Sequence, residues 1–220
     1  ICQGGANLVK GPSMITLHHL RISRSSRIIW LLEELGLDYD LKCYDRTPEF
    51  RAPPELSEIH PLGKAPTVEV DGRVMVESGA IIEYLVERHG GGKLAVPDEE
   101  RSAYLEWLHF AEGTLGMPLI LNSLKPMFGG FGERLEGFVS AEVTKLLDYM
   151  EAHMAGRDWL LGGTFSGADI NMGYLVEHMQ ATKLLDSRPN LAAYRERLMA
   201  RDGYKKMIEL GGPLRPPAKG

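Results

Sequence analysis

The chain has 220 residues with 44% hydrophobic content, enough to bury one large core or two modest ones, and two are expected. A net charge of −5 without any Lys/Arg run leaves no electrostatic footprint for a nucleic-acid backbone. The two cysteines, Cys2 and Cys43, stand far apart and form no CxxC pair, which argues against a disulfide framework or a cysteine-based metal site and points to a reducing, cytoplasmic setting.

Ile1 to Ser13 is Gly-rich and aperiodic and lacks the apolar stretch of a signal peptide, so Met14 is expected to be the natural start and 1–13 an unstructured extension. No apolar run approaches the ~18 residues needed to span a bilayer, so no membrane partner is expected. Ile15 to Leu20 reads as a strand, Arg21 to Ser26 as a polar loop, and Arg27 to Leu35 as a helix stopped by Gly36. Leu41 to Tyr44 follows as a second strand, which makes a right-handed βαβ unit with parallel strands. A Pro-rich stretch from Pro48 to Pro61 separates it from Thr67 to Val70 and Arg73 to Val76, which flank the type I′ turn signal Asp71-Gly72. Ser78 to His89 reads as a helix with Ile81, Ile82 and Leu85 on one face, ending at Gly90-Gly-Gly92. These elements define an α/β domain over 14–90.

From Pro97 onward the period is helical throughout: Glu99 to Leu124, Glu133 to Ala155, Ser166 to Thr182, Pro189 to Arg201 and Tyr204 to Leu210. The expectation is an all-helical domain over 97–210 followed by a tail, 211–220. Trp107, Phe110, Leu115 and Met117 are read mostly as core. Met127-Phe-Gly-Gly-Phe131 is either a pocket lid or a packed turn.

Three segments carry chemistry. Ala65-Pro66, where a loop enters a strand, is a candidate for the cis isomer, which would turn the backbone groups of Ala65 outward to pair with another peptide. Glu77-Ser78 opens a helix after the hairpin, where free N–H groups and a hydroxyl can hold a carboxylate. Ser23, Ser25 and Ser26 lie between the first strand and first helix, where a serine is commonly just an N-cap. Lys64 and Arg51 taken alone are solvated surface charges. His18 and His19 are read as strand residues, because no HExxH motif or His/Cys pairing makes them metal ligands. Gly90-Gly-Gly-Lys93 lacks phosphate-loop spacing and is a helix stop.

Taken together, Ser23-Arg-Ser-Ser-Arg-Ile-Ile-Trp-Leu-Leu-Glu-Glu-Leu-Gly36, His60-Pro-Leu-Gly-Lys-Ala-Pro66 and Glu77-Ser-Gly-Ala-Ile-Ile-Glu-Tyr-Leu85 resemble the glutathione S-transferase family, in particular its GTT-type branch of bacteria and fungi. The resemblance runs from Met14 to about Leu210. It implies an α/β thioredoxin-like N-terminal domain followed by an all-α helical bundle. Ser166-Gly-Ala-Asp169 is similar to the family's capping box, with Phe165 and Ile170 as its hydrophobic staple.

The resemblance further implies that Ser23, or as second choice Ser25, donates a hydrogen bond to glutathione sulfur and favours the thiolate. Glu77 and Ser78 would hold the γ-glutamyl end and Ala65, before Pro66, would pair with the cysteinyl backbone. Lys64 would sit near the glycine carboxylate, with Arg51 as a further candidate for that group. The implied activity is transfer of glutathione, a co-substrate, to a small apolar electrophile near the interdomain cleft, by a cytoplasmic homodimer acting in detoxification without a metal. Two rival readings stand beside it: a glutathione-dependent peroxidase or disulfide reductase, and a non-catalytic binding module on the same fold.

Overall fold

The computed structural model describes residues 15–215, so the expected start at Met14, the extension 1–13 and residues 216–220 of the tail lie outside it. By packing, the chain divides into two units: one runs to Lys93 and takes up the chain again from Arg201, and the other is Leu94–Ala200.

The first unit is built on a four-stranded sheet of order β2-β1-β3-β4, with β1 at Ile15–Leu20, β2 at Asp40–Tyr44, β3 at Thr67–Val70 and β4 at Arg73–Val76. β1 and β2 are parallel, joined through helix α1 (Ser26–Leu35), while β3 pairs antiparallel with both β1 and β4. The hairpin turn is the one its sequence calls for, with φ of 50° at Asp71 and 73° at Gly72. Gly36 closes α1 in the left-handed region at φ 67°, and Lys93 Nζ donates to the Leu35 carbonyl at 2.8 Å. A short helix not foreseen in the Pro-rich stretch, α2 (Glu55–Ile59), buries Leu56, and α3 (Ser78–His89) buries Ile81, Ile82 and Leu85.

The last helix, α9 (Asp202–Gly211), belongs to this unit rather than to the helical domain that the sequence extends to 210. It lies against α1: Arg201 clamps Glu34 through two hydrogen bonds of 2.8 and 2.7 Å, and the Tyr204 ring meets Trp30 edge-on at 5.2 Å. This explains why α1 is buried on nearly every face, from Ser26 to Leu32 and at Leu35.

The second unit holds α4 (Arg101–Phe110), α5 (Met117–Leu124), α6 (Glu133–His153), α7 (Gly167–Ala181) and α8 (Pro189–Ala200). The single helix expected over Glu99 to Leu124 is interrupted by a π-helical segment, Ala111–Gly116. Pro118 accounts for it, since its ring would clash with the carbonyl of Thr114 in a regular helix and it has no N–H to give; widening the turn removes the conflict. Met117, read as core, is 65% exposed there.

α7 is the centre of this unit, buried from Gly167 to Val176. Its first turn is closed by the capping box: Ser166 Oγ accepts from Ala168 N at 3.3 Å and Asp169 Oδ2 accepts from Ser166 N at 2.9 Å. Asp169 also accepts from Leu160 N at 3.0 Å and Tyr194 Oη at 2.8 Å. Burial raises its carboxyl pKa against the pull of these donors. Among the described residues no helix is long and apolar enough to cross a membrane.

Candidate active site

In the sheet, Thr67 pairs with His18 on one side and with Val76 on the other. The segments that follow β1, precede β3 and follow β4 therefore emerge at one end. They carry Ser23 and Ser25, Lys64 to Pro66, and Glu77-Ser78.

Ser23 is 7% exposed. Its Oγ lies 2.7 Å from Ser25 Oγ and accepts from Ser25 N at 3.2 Å. Ser25 precedes α1 but does not cap it. Its hydroxyl instead sits 2.8 Å from His19 Nδ1 and within reach of both Leu20 N and Leu20 O at 3.1 and 3.2 Å. The direction of this chain follows from its far end. His19 Nε2 meets the Gly211 carbonyl at 3.0 Å, and a carbonyl only accepts, so Nε2 carries the hydrogen.

Burial pushes the His19 pKa down to about 4, against the pull of the Gly211 carbonyl and with the charge of Arg21 adding to the fall. The neutral ring therefore offers Nδ1 as an acceptor. Ser25 donates to it, and Ser25 Oγ accepts in turn from Ser23. The Ser23 hydrogen thus rests on a neutral hydroxyl, an acceptor that an anion would outcompete.

Two residues beside the site hold a backbone conformation that non-glycine residues avoid: Ile22 at φ 56°, directly before Ser23, and Glu77 at φ 71°, directly before Ser78. Arg46 fixes the first of these loops by donating to the carbonyls of Arg21 at 3.1 Å, Ile22 at 2.6 Å and Phe50 at 2.9 Å. The Ala65–Pro66 peptide is cis. Ala65 is partly exposed, and the Lys64 carbonyl accepts from Thr67 Oγ1 at 2.8 Å.

At the third segment Ser78 is 4% exposed and accepts from Arg27 Nη1 at 3.0 Å, which ties the start of α1 to the start of α3. Ser23, Ala65, Pro66, Glu77 and Ser78 thus gather around one end of the sheet. Lys64 and Arg51 are exposed, Arg51 in a turn where its carbonyl accepts from Thr47 N at 2.9 Å. Chemically the cluster offers a hydroxyl before one helix for an anionic atom, a peptide edge, and a second helix start for a carboxylate.

His19, Arg27 and Arg46 escaped the sequence reading. In sequence His19 reads as one residue of a strand, and nothing local marks Arg46. Arg27 had a signal, as a lone cation at the head of the apolar run Ile28-Ile-Trp-Leu-Leu32.

The family model for the N-terminal domain of glutathione S-transferases matches residues 23–88, and that for their C-terminal domain matches residues 133–197. Among curated proteins, glutathione S-transferase 3 of Schizosaccharomyces pombe is 41% identical over 181 residues, covering 74% of this chain and 73% of its own. Glutathione S-transferase 1 of Saccharomyces cerevisiae is 32% identical over 187 residues, covering 74% and 80%. Among solved structures, a glutathione S-transferase of Actinobacillus pleuropneumoniae superposes with a TM-score of 0.82 at 32% identity, over 91% of this chain and 95% of that one. A Phanerochaete chrysosporium glutathione transferase, solved with oxidized glutathione, shares the fold at a TM-score of 0.79 and 20% identity, over 92% and 98%.

Proposed function

The chain belongs to the glutathione S-transferase family, and on that premise we propose that this glutathione transferase ionises the thiol of its co-substrate at Ser23 and adds it to a small apolar electrophile. The observation that best supports this reading is the convergence of Ser23, the cis Ala65–Pro66 peptide and Glu77-Ser78 at one sheet end. Glu77 and Ser78 take the γ-glutamyl end of glutathione, Ala65 pairs with its cysteinyl backbone, and Lys64, with Arg51, faces its glycine carboxylate.

A free thiol near pKa ~8.5 is only about 3% ionised at neutral pH, and lowering it by ~2 units corresponds to about 2.7 kcal/mol of selective anion stabilisation. Ser23 supplies part of this by turning its hydrogen from Ser25 Oγ to the sulfur. A thiolate is a charged acceptor and wins that exchange, whereas a neutral thiol does not, so the bond favours the ionised form. The start of α1 adds its dipole. The thiol proton leaves to water, the sulfur lone pair forms a carbon–sulfur bond, and a halide leaves with its bonding pair or an enone carbon takes a proton. Catalysis is thiolate formation plus proximity. The electrophile class is an alkyl or aryl halide, an enone, or an epoxide whose ring C–O bond breaks with its electron pair on the oxygen, which takes a proton. A hydroperoxide is instead attacked at oxygen, giving the alcohol and a glutathione sulfenic acid that a second glutathione reduces to the disulfide and water. A role in detoxification, a cytoplasmic location and a homodimer are part of the same proposal and rest on the family.

Calorimetry with glutathione, together with thiolate absorbance near ~240 nm, tests Ser23. Wild type and Ser23→Ala should both bind, with the thiolate band lost only in the variant. Retention of the band in Ser23→Ala would remove Ser23 from this role.

A further inference from the structure

Arg27 occupies the second position of α1 and is 1% exposed. Unlike His19, which answers burial by staying neutral, an arginine cannot shed its charge. Its hydrogen-bond direction is equally fixed, since a guanidinium only donates. At 3.0 Å from Arg27 Nη1, Ser78 Oγ is therefore the acceptor, and its own hydrogen is directed away from Arg27.

The helix end at which this happens differs from the other N-terminus described above. α7 fills its first turn with its own carboxylate, Asp169. α3 has no side-chain cap from Glu77 and no acidic residue in its first turn. Its start combines amide groups, a hydroxyl whose own hydrogen is not directed at Arg27, and a buried cation bonded to that hydroxyl. All three favour an anion.

We propose that Arg27 is a positioning residue for the ligand carboxylate at α3: it holds the Ser78 hydroxyl as a donor and sets a permanent positive charge beneath the γ-glutamyl α-carboxylate of glutathione. This rests on the reading of Glu77-Ser78 as the γ-glutamyl seat. Arg27 acts through Ser78, so it tunes which ligand is held and leaves thiol ionisation to Ser23.

The test compares binding of glutathione with that of γ-aminobutyryl-cysteinylglycine, which lacks the α-carboxylate, to wild type and Arg27→Met. Wild type should prefer glutathione by roughly 10- to 100-fold, the range of a charge-assisted hydrogen bond. In Arg27→Met that preference should shrink to about threefold or less, while kcat at saturating glutathione and the thiolate absorbance of the bound form stay at wild-type values. If Arg27→Met weakens both ligands equally, the inference falls and the seat stands. If wild type does not distinguish the two ligands, the seat itself is misassigned and the inference goes with it.

Should Arg27→Met not fold, Arg27→Lys and Ser78→Ala are combined in a double-mutant cycle on the same binding ratio. Non-additivity supports action through Ser78, and additivity overturns it.

Discussion

Ser23 and Ser25 stand two positions apart but differ in what their hydroxyls are free to do. The Ser25 hydroxyl is enclosed between His19, Leu20 and Ser23, so Ser25→Ala should act on stability, costing on the order of 1–3 kcal/mol for the groups left unpaired, with the bound thiolate retained. Urea denaturation beside thiolate absorbance separates the two effects. His19 carries a pH dependence of fixed sign. Its folded pKa, about 4, lies below the ordinary histidine value of 6.5, so in that window the unfolded chain binds more protons and stability falls as pH falls. The loss is on the order of 3 kcal/mol between those limits, and His19→Asn should reduce it when urea midpoints at about pH 7 and about pH 4.5 are compared. The candidate residues Ser23, Ala65-Pro66 and Glu77-Ser78 can be singled out from the sequence because each lies in a short local motif. His19 and Arg27 cannot be, because their roles depend on Gly211 and Ser78, residues 192 and 51 positions away.

Among the elements, those with a local signal read correctly: the Asp71-Gly72 hairpin, the Gly36 stop and the Ser166–Asp169 capping box. The capping box also gives the clearest stability prediction. Ser166→Ala should cost about 1–2 kcal/mol, the usual range for a lost N-cap. Asp169→Ala should cost more, because it strips acceptors from Leu160 N, Ser166 N and the Tyr194 hydroxyl inside the core. Chemical denaturation of the two variants checks the order. Missed elements had competing causes: the π segment comes from Pro118 inside an otherwise helical period, and α2 hides among prolines. Gly211, at the end of α9, has no room for a side chain. A Cβ there would stand 2.7 Å from Ile29 Cδ1 and 3.1 Å from His19 Nε2, so Gly211→Ala should displace α9 from α1 and cost on the order of 1–3 kcal/mol in thermal melts.

At the scale of the whole molecule, the first unit is discontinuous in sequence: it is interrupted after Lys93 and completed only from Arg201. A chain ended after Ala200 loses the Arg201–Glu34 clamp, the Tyr204 ring beside Trp30 and the Gly211 carbonyl beneath His19. Hydrogen exchange should then rise in β1 and α1 while α7 keeps its protection. Nothing in the residues of α9 announces this closure, since its amphipathic period is ordinary and only packing decides which unit it joins. The same closure bears on biosynthesis. Translation delivers Ser23, Pro66 and Ser78 early, yet the helix that covers α1 leaves the ribosome more than a hundred residues later, on the order of ten seconds at typical elongation rates. Through that interval the nascent first unit exposes the apolar side of α1, including Trp30 and Ile29, and is a natural client for a chaperone until the helical domain has been made and α9 returns to cover it.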